Sequence, residues 1–371
     1  MTSPLVQEGS TDKNFQGTNY QSQEYATKRT FGQKAKRHCA RFWWLHLIIF
    51  CVIFLVVALL VVYVGMPRIA QHNVNDATLE FKDAFFLDPT EDSIKVSQNA
   101  VLHNPSKFTP TLDAFPAELF LVTNGTYAAV SMMTLPMPSI HATKVRSTGI
   151  HDVIVKVNNV DALGDYAVAV MHNENITTAL VGRTKLHLGK LPTQGVTFNS
   201  TSTYKGLNSL KGFNTTDVLI NPGAAAGTPN LRGNAFIPNP SLMTIEMGNV
   251  TLSLSVPVKG VDTLVGNATI LNFKLVPGDN RLPMFGIIDN TKVLPALDKE
   301  GKVNMTIIGQ TSVRNGEHLT YYEKALQSNV LTLEMNVKQI LTDSAAAAAK
   351  ASGGAGNSSP STNSTTTAPP S

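Results

Sequence analysis

Residues 236–250 read FIPNPSLMTIEMGNV, and 135 residues earlier residues 101–115 read VLHNPSKFTPTLDAF. In both places Asn-Pro-Ser follows an apolar pair or triplet and precedes a β-rich run. Asn before Pro is driven out of the α region, the fixed φ of Pro ends a strand, and Ser can bond back to the local backbone. One copy reads as a turn. Two copies in matching contexts, Asn104-Pro105-Ser106 and Asn239-Pro240-Ser241, point to a duplicated domain.

Working outward, VTLSLSVPV places Val250, Leu252, Leu254, Val256 and Val258 on one face and Thr251, Ser253 and Ser255 on the other, a period-2 strand. Leu331, Leu333, Met335 and Val337 alternate in the same way, as do Val153, Val155 and Val157, and TILNFKL groups Thr269, Leu271, Phe273 and Leu275. Each half also has one stretch with helical spacing. Residues 159–174 set Leu163, Tyr166 or Ala167, Val170 and Met171 on one face behind Asp161 as cap candidate, and residues 316–327 do so with Leu319, Tyr322 and Leu326. Both precede a closing strand, TALVGRTKLHLG and VLTLEMNVKQIL. The order strand, Asn-Pro-Ser, several strands, helix, last strand is thus read twice, with a loop-length difference between copies. Residues 221–230, NPGAAAGTPN, read as the linker. Residues 344–371, rich in Ala, Ser, Thr and Pro, read as a disordered tail.

Upstream, residues 42–64 read FWWLHLIIFCVIFLVVALLVVYV, apolar but for His46 and long enough to cross a bilayer. A cleaved signal peptide would be shorter and followed by a small-residue cleavage site, which GMPRIA does not provide. Lys28, Arg29, Lys34, Lys36, Arg37 and Arg41 precede the span, which places the N-terminus in the cytosol. All nine Asn-x-Ser/Thr acceptors lie after it, at Asn124, Asn175, Asn199, Asn214, Asn249, Asn267, Asn304, Asn357 and Asn363, and agree with a lumenal or extracellular body. Residues 1–41 lack the aliphatic content of a core and read as a disordered cytosolic tail. Cys39 beside the span is a palmitoylation candidate or an unmodified thiol. With 43% hydrophobic residues and a net charge of +4, the chain is composed like folded protein and lacks the basic excess of a nucleic-acid binder.

The two motif contexts, each with one helix before a closing strand, resemble the LEA-2 (WHy-type) domain, an immunoglobulin-like sandwich. The second copy, with GNAFIPNPSLMTIEMGNVTLSL and ILNFKLVPGDN, is similar to fungal membrane proteins carrying a DUF3712 domain. The first copy departs from it, with extra Pro110 and Pro116 and no Gly in the place of Gly248. The expected architecture is mainly β: a single N-terminal transmembrane helix, then two tandem LEA-2-like β-sandwiches over 73–220 and 230–343, the second DUF3712-like.

The chemistry-bearing residues assemble no active site. No His-Glu-x-x-His, Gly-x-Ser-x-Gly, phosphate-binding Gly loop or zinc pattern occurs. His141, His151 and Asp152 read as solvated, and Asp279-Asn280 after Pro277-Gly278 as a turn. The expectation is a non-enzymatic protein without cofactor or metal, working at the vacuolar or plasma membrane. The resemblance implies binding of a lipid, in an apolar groove between sheets, or of a protein partner. The alternatives are a scaffolding glycoprotein and an RNA-processing role, the latter opposed by the topology.

Overall fold

The two Asn-Pro-Ser motifs fold alike. In the computed structural model, which describes residues 42–225 and 227–353, the Asn104 side-chain carbonyl accepts from the Ser106 N–H at 3.0 Å, and its amide donates to the carbonyls of Phe108 and Ala142 at 2.9 and 2.8 Å. The Asn239 carbonyl accepts from the Ser241 N–H at 2.9 Å, and its amide donates to the Met243 carbonyl at 2.9 Å. The Ser106 and Ser241 hydroxyls accept from the N–H of Phe108 and Met243, both at 3.1 Å. Both asparagines are buried. A buried amide thus carries the main-chain pairing that a proline turn interrupts.

The chain divides into two units after Leu60. The first holds α1 (Trp43–Leu60), apolar on every face and with none of its side chains buried by protein. The apolar stretch it begins has mean hydropathy 3.5, fitting a single-pass membrane protein. The second opens with a π-turn (Val61–Gly65) and α2 (Met66–Asn75). Its first half comprises β1 (Thr78–Leu87), β2 (Ser93–His103), β3 (Thr111–Leu112), β4 (Phe115–Thr123), β5 (Thr126–Tyr127), β6 (Met133–Met137), β7 (Ile140–His141), β8 (Val145–Lys156), α3 (Val160–His172), β9 (Asn175–His187) and β10 (Gln194–Lys205). The second half comprises β11 (Asn214–Ile220), β12 (Leu231–Asn239), β13 (Met243–Val258), β14 (Val261–Leu275), β15 (Gly278–Ile288), α4 (Asn290–Val293), β16 (Lys302–Arg314), β17 (Glu317–His318), α5 (Thr320–Ser328), β18 (Val330–Asn336) and α6 (Val337–Gly353).

Strand pairing shows the duplication. In the first half β1 pairs β2, β2 pairs β8, β4 pairs β6 and β9, and β9 pairs β10, all antiparallel. The second half repeats every one of these: β11 with β12, β12 with β15, β13 with β14 and β16, and β16 with β18. Three expectations change with this register. Residues 214–220 pair with β12, so residues 221–230 form a hairpin loop inside the second half, and the passage between halves runs through residues 206–213. The helices α3 and α5 are not equivalent: α3 precedes β9, whose counterpart β16 is preceded by the short α4, whereas α5 follows β16. Two strands, β9 and β10, therefore follow α3 where one was expected. Lastly, residues 344–353 continue α6 instead of beginning a tail, because the alanine run is the strongest helix former available.

In the first half, layer β1-β2-β8 faces layer β4-β6-β9-β10. Ile94, Val96 and Leu102 from one side and Ala117, Leu180 and Phe198 from the other are buried in one core. Hydrogen bonds run between Leu79 of β1 and Ser200 and Ser202 of β10. In the second half a single sheet, β11-β12-β15-β14-β13-β16-β18, curls around Leu231, Leu252, Met284, Met305 and Met335. Along β14 the expected face changes: Ile270 is buried while Leu271 is 51% exposed. Asn272 adopts φ 49° in a bulge opposite β13, which moves the inward set by one residue. Helix α3 is capped by Asn159, whose side chain accepts from the Ala162 N–H at 2.8 Å, in place of Asp161.

The halves are not separate beads. Residues 243–245 of β13 run parallel to residues 84–86 of β1, after which β13 leaves β1 and pairs with β16 from Asn249 onward. Gly248 sits at this fork with φ +71°, and a Cβ there would lie 2.5 Å from the Val313 carbonyl oxygen. Only glycine fits such a close approach at positive φ.

Candidate functional site

The junction of the halves is built from side chains on β1, β2, β13, β16, α3 and α5. Arg314 of β16 bonds Asp88 at the end of β1 at 2.5 Å and Glu246 of β13 at 3.2 Å, and Lys95 of β2 reaches Asp88 at 2.7 Å. The Lys95 ammonium, with Arg314 beside it, holds the Asp88 carboxyl below the usual carboxylate range. Helices α3 and α5 pack together at Gly164, where a Cβ would meet Lys324 Cδ at 2.9 Å, and Lys324 pairs with Asp165 at 2.7 Å. Beneath them Tyr166 and Tyr204 share a hydroxyl hydrogen bond of 2.9 Å, and burial pushes the Tyr166 hydroxyl well above its ordinary pKa. The cavity here, lined by Tyr166, Val170, Met243, Met247 and Tyr322, measures about 30 Å³, and a similar one of about 30 Å³ lies inside the second half. Ligand sites run from roughly 300 to 1,000 Å³, so at these two places side chains fill the interior that an acyl chain would need.

A ligand-sized concavity lies elsewhere. Helix α6 crosses the open edge of the second half, tied down where the Ser344 hydroxyl accepts from the Ile220 N–H at 2.9 Å. On one side of this tether an open groove of about 750 Å³ runs between the helix and the β11–β12 hairpin, floored by Leu219, Pro222, Phe285, Leu341, Ala345 and Ala348. On the other side a groove of about 530 Å³ is edged by Asp217, Glu334 and Asp343. The alanine face leaves room for the first groove, and Asn221 and Arg232 supply polar groups along it. Such a surface can hold an apolar chain or segment. The sequence signal for it is the alanine run itself, whose composition also fits a low-complexity tail.

Asn104, Pro105, Ser106, Asn239, Pro240 and Ser241 form the two turns already described. Asn124, Asn175, Asn199, Asn214, Asn249, Asn267 and Asn304 are all exposed, whereas the buried asparagines Asn104, Asn239, Asn280 and Asn329 stand outside acceptor sequences. Asn357, Asn363 and Cys39 lie outside the described residues. Asn280 closes its turn by accepting from the Val276 N–H at 2.9 Å and donating to the Val276 carbonyl at 2.8 Å. His141 and His151 are both exposed, His141 within 3.0 Å of the Thr111 hydroxyl. Among the described residues no group of His, Cys, Asp or Glu could hold a metal ion.

One histidine touches a hydroxyl across the junction, His172 Nε2 to Ser328 Oγ at 2.8 Å. That hydroxyl donates its proton to the Ala325 carbonyl at 2.7 Å, so the imidazole supplies a hydrogen to Ser328 and does not draw one from it. The other ring nitrogen faces the Ser209 hydroxyl at 3.4 Å, where a nucleophile–base pair would have an orienting carboxylate.

No curated protein matches the chain. A crystal structure of β-D-mannosidase from Dictyoglomus thermophilum aligns with 65% of this chain at 10% identity, with a TM-score of 0.16 that carries no argument; the chain spans 29% of that enzyme's length. Residues 130–254, from the bend before β6 through α3 and into β13, match the model of the family described as protein of unknown function (DUF3712), and the family this match supports is DUF3712.

Proposed function

We propose that this chain is a non-enzymatic, single-pass membrane protein whose duplicated β body stands on the lumenal or extracellular side, carries N-linked glycans, and holds a lipid or protein partner at the vacuolar or cell-surface membrane. The observation that carries the binding reading is the open groove of about 750 Å³ between α6 and the β11–β12 hairpin, with an apolar floor and polar groups of Asn221, Asn230 and Arg232 along it. Support for the orientation comes from the basic residues before α1 and from the exposure of all seven described acceptor asparagines. A glycan needs its asparagine at the surface, and each of these satisfies that requirement.

The experiment is photocrosslinking from the groove in the full chain expressed in eukaryotic cells, with Ala348 replaced by a photoreactive residue and Ile154 on β8 as a control. A defined lipid or protein adduct from position 348, absent from position 154 and lost when Ala345→Trp fills the groove, is the expected result. Equal labelling from both positions would refute the binding reading. A second reading, a scaffolding glycoprotein without a small ligand, is favoured by the tight inter-sheet packing. It predicts no lipid adduct from position 348 and a gel shift on glycosidase treatment.

A further inference from the structure

We propose that α2 and the two loops packed around it form a docking surface for the phospholipid headgroup layer, made of three cation–hydrophobe pairs: Arg68-Ile69, Lys107-Phe108 and Lys190-Leu191. The inference rests on the single-pass reading of the chain, since the bilayer concerned is the one that α1 crosses.

The three apolar residues come from distant parts of the sequence and line one shallow cavity, with Met66, Pro110 and Pro192 between them. Ile69 is 46% exposed, Phe108 48% and Leu191 40%. Single exposed hydrophobes need no explanation, but three around one concavity, each next to a cation, form a pattern. Arg68, Lys107 and Lys190 are exposed and have no ion pair among the described residues. The segments that carry them, MPRIAQHNVN, NPSKFTPTL and LGKLPTQ, contain no Asp or Glu. An uncompensated cation beside an inserted apolar group is the composition of an interfacial surface: the hydrophobe enters the acyl boundary while the ammonium or guanidinium meets phosphate.

The framework holds these residues outward. Helix α2 buries Ala70 and Val74, and Gln71 locks it to β10, donating to the Thr197 carbonyl at 2.7 Å and accepting from the Thr197 N–H at 2.9 Å. Phe108 is fixed by the Asn-Pro-Ser clamp, through its carbonyl to Asn104 and its N–H to Ser106. The duplication supplies an internal comparison. Met243 takes the position of Phe108 in the second copy, held by the same bonds, and there the side chain is buried at the junction of the halves. The same turn thus feeds a core in one copy and an open surface in the other. The span ends at residue 64, so the tether from bilayer to Arg68 is a few residues long and the effective concentration of headgroups is high.

The test uses the full chain in nanodiscs of phosphatidylcholine, with and without an anionic phospholipid. Cys39 and Cys51 are replaced by Ser and single nitroxide labels are attached at Phe108→Cys, Leu191→Cys, Ile154→Cys and Leu55→Cys. The labels at 108 and 191 are expected to collide with oxygen dissolved in lipid and to be shielded from an aqueous nickel chelate, with the reverse at 154. Replacing Arg68, Lys107 and Lys190 by Glu is expected to return them to water, each cation removed lowering the docked-to-undocked ratio about fivefold in anionic discs. Labels at 108 and 191 as open to nickel as that at 154 would overturn the proposal. Labels shielded from both reagents would overturn it in favour of a protein contact. A nickel-accessible label at 55 would mean that the anchor itself had failed, and the docking with it.

Discussion

Asn239→Ala removes one side-chain amide, and the structure fixes what that amide leaves behind. The Ser241 N–H and the Met243 carbonyl each lose a partner at 2.9 Å, in a site where Asn239 is 2% exposed and water has no easy entry. An orphaned buried polar group costs about 1–3 kcal/mol, so two cost about 3 kcal/mol once the Ser241 hydroxyl rotates to recover part of the loss. In a body of this size each kcal/mol moves the melting temperature by roughly 2–4 °C, and the expected fall is about 6–12 °C. Asn104→Ala is expected to cost at least as much, because its amide also holds the Ala142 carbonyl. Since β1 pairs with β13 and α3 packs on α5, both substitutions are expected to shift one cooperative transition. The assay is thermal unfolding of the full chain in nanodiscs, followed by near-ultraviolet circular dichroism and by hydrogen exchange of the two halves. A loss below about 1 kcal/mol for Asn239→Ala would refute the buried-clamp argument. Two separate transitions, each moved by only one of the substitutions, would refute the single-unit reading.

Gly248→Ala forces positive φ and a Cβ into the Val313 carbonyl, and is expected to cost more than about 2 kcal/mol; Gly278→Ala, at positive φ in open space, is expected to cost strain alone, near 1 kcal/mol, and chemical denaturation compares the two. Because Lys95 and Arg314 depress the folded pKa of Asp88, its contribution is complete above the unfolded value of about 3.9 and is lost as pH falls through the folded one. Asp88→Asn should therefore flatten the acid limb of a stability–pH profile while costing under about 1 kcal/mol at neutral pH, since the half-exposed pair is screened by solvent. At the α3–α5 contact Gly164→Ala is expected to be near neutral, the gain of about 1 kcal/mol in helix propensity offsetting displacement of the Lys324 stem, whereas Gly164→Val should push the helices apart and lower the melting temperature.

The junction explains why two copies of one topology have diverged. In the first half β8 pairs with β2 alone among the described residues, while β1 is covered by β13. In the second half β13 lies between β14 on one side and two successive partners, β1 and then β16, on the other. A strand that changes partners must bend at the change, and Gly248 supplies the backbone angle that the bend requires. The first copy has no glycine at the corresponding place because β4 makes no such exchange.

How much of this was legible follows from how local each determinant is. The Asn-Pro-Ser turns could be read because all their bonds but the one from Asn104 to Ala142 close within four residues. The inward faces of β13 and α3 could be read because period 2 and period 3.6 are written into the residues themselves: Val250, Leu252, Leu254 and Val256 are buried as expected, and so are Leu163, Tyr166, Val170 and Met171. The face of β14 could not, because its Asn272 bulge is set by pairing with β13. Helix correspondence failed for a related reason. A helix and its period say nothing about which strands flank it, and α3 and α5 match in residue spacing while occupying different steps of the repeat. The 135-residue spacing of the motifs carries residues 160–172 to 295–307, past α4 and into β16, so it does not identify the counterpart of α3 either. The groove under α6 was hidden most completely. An alanine run is both a low-complexity signal and the best helix former, and its docking onto Ile220 depends on an edge strand 124 residues away.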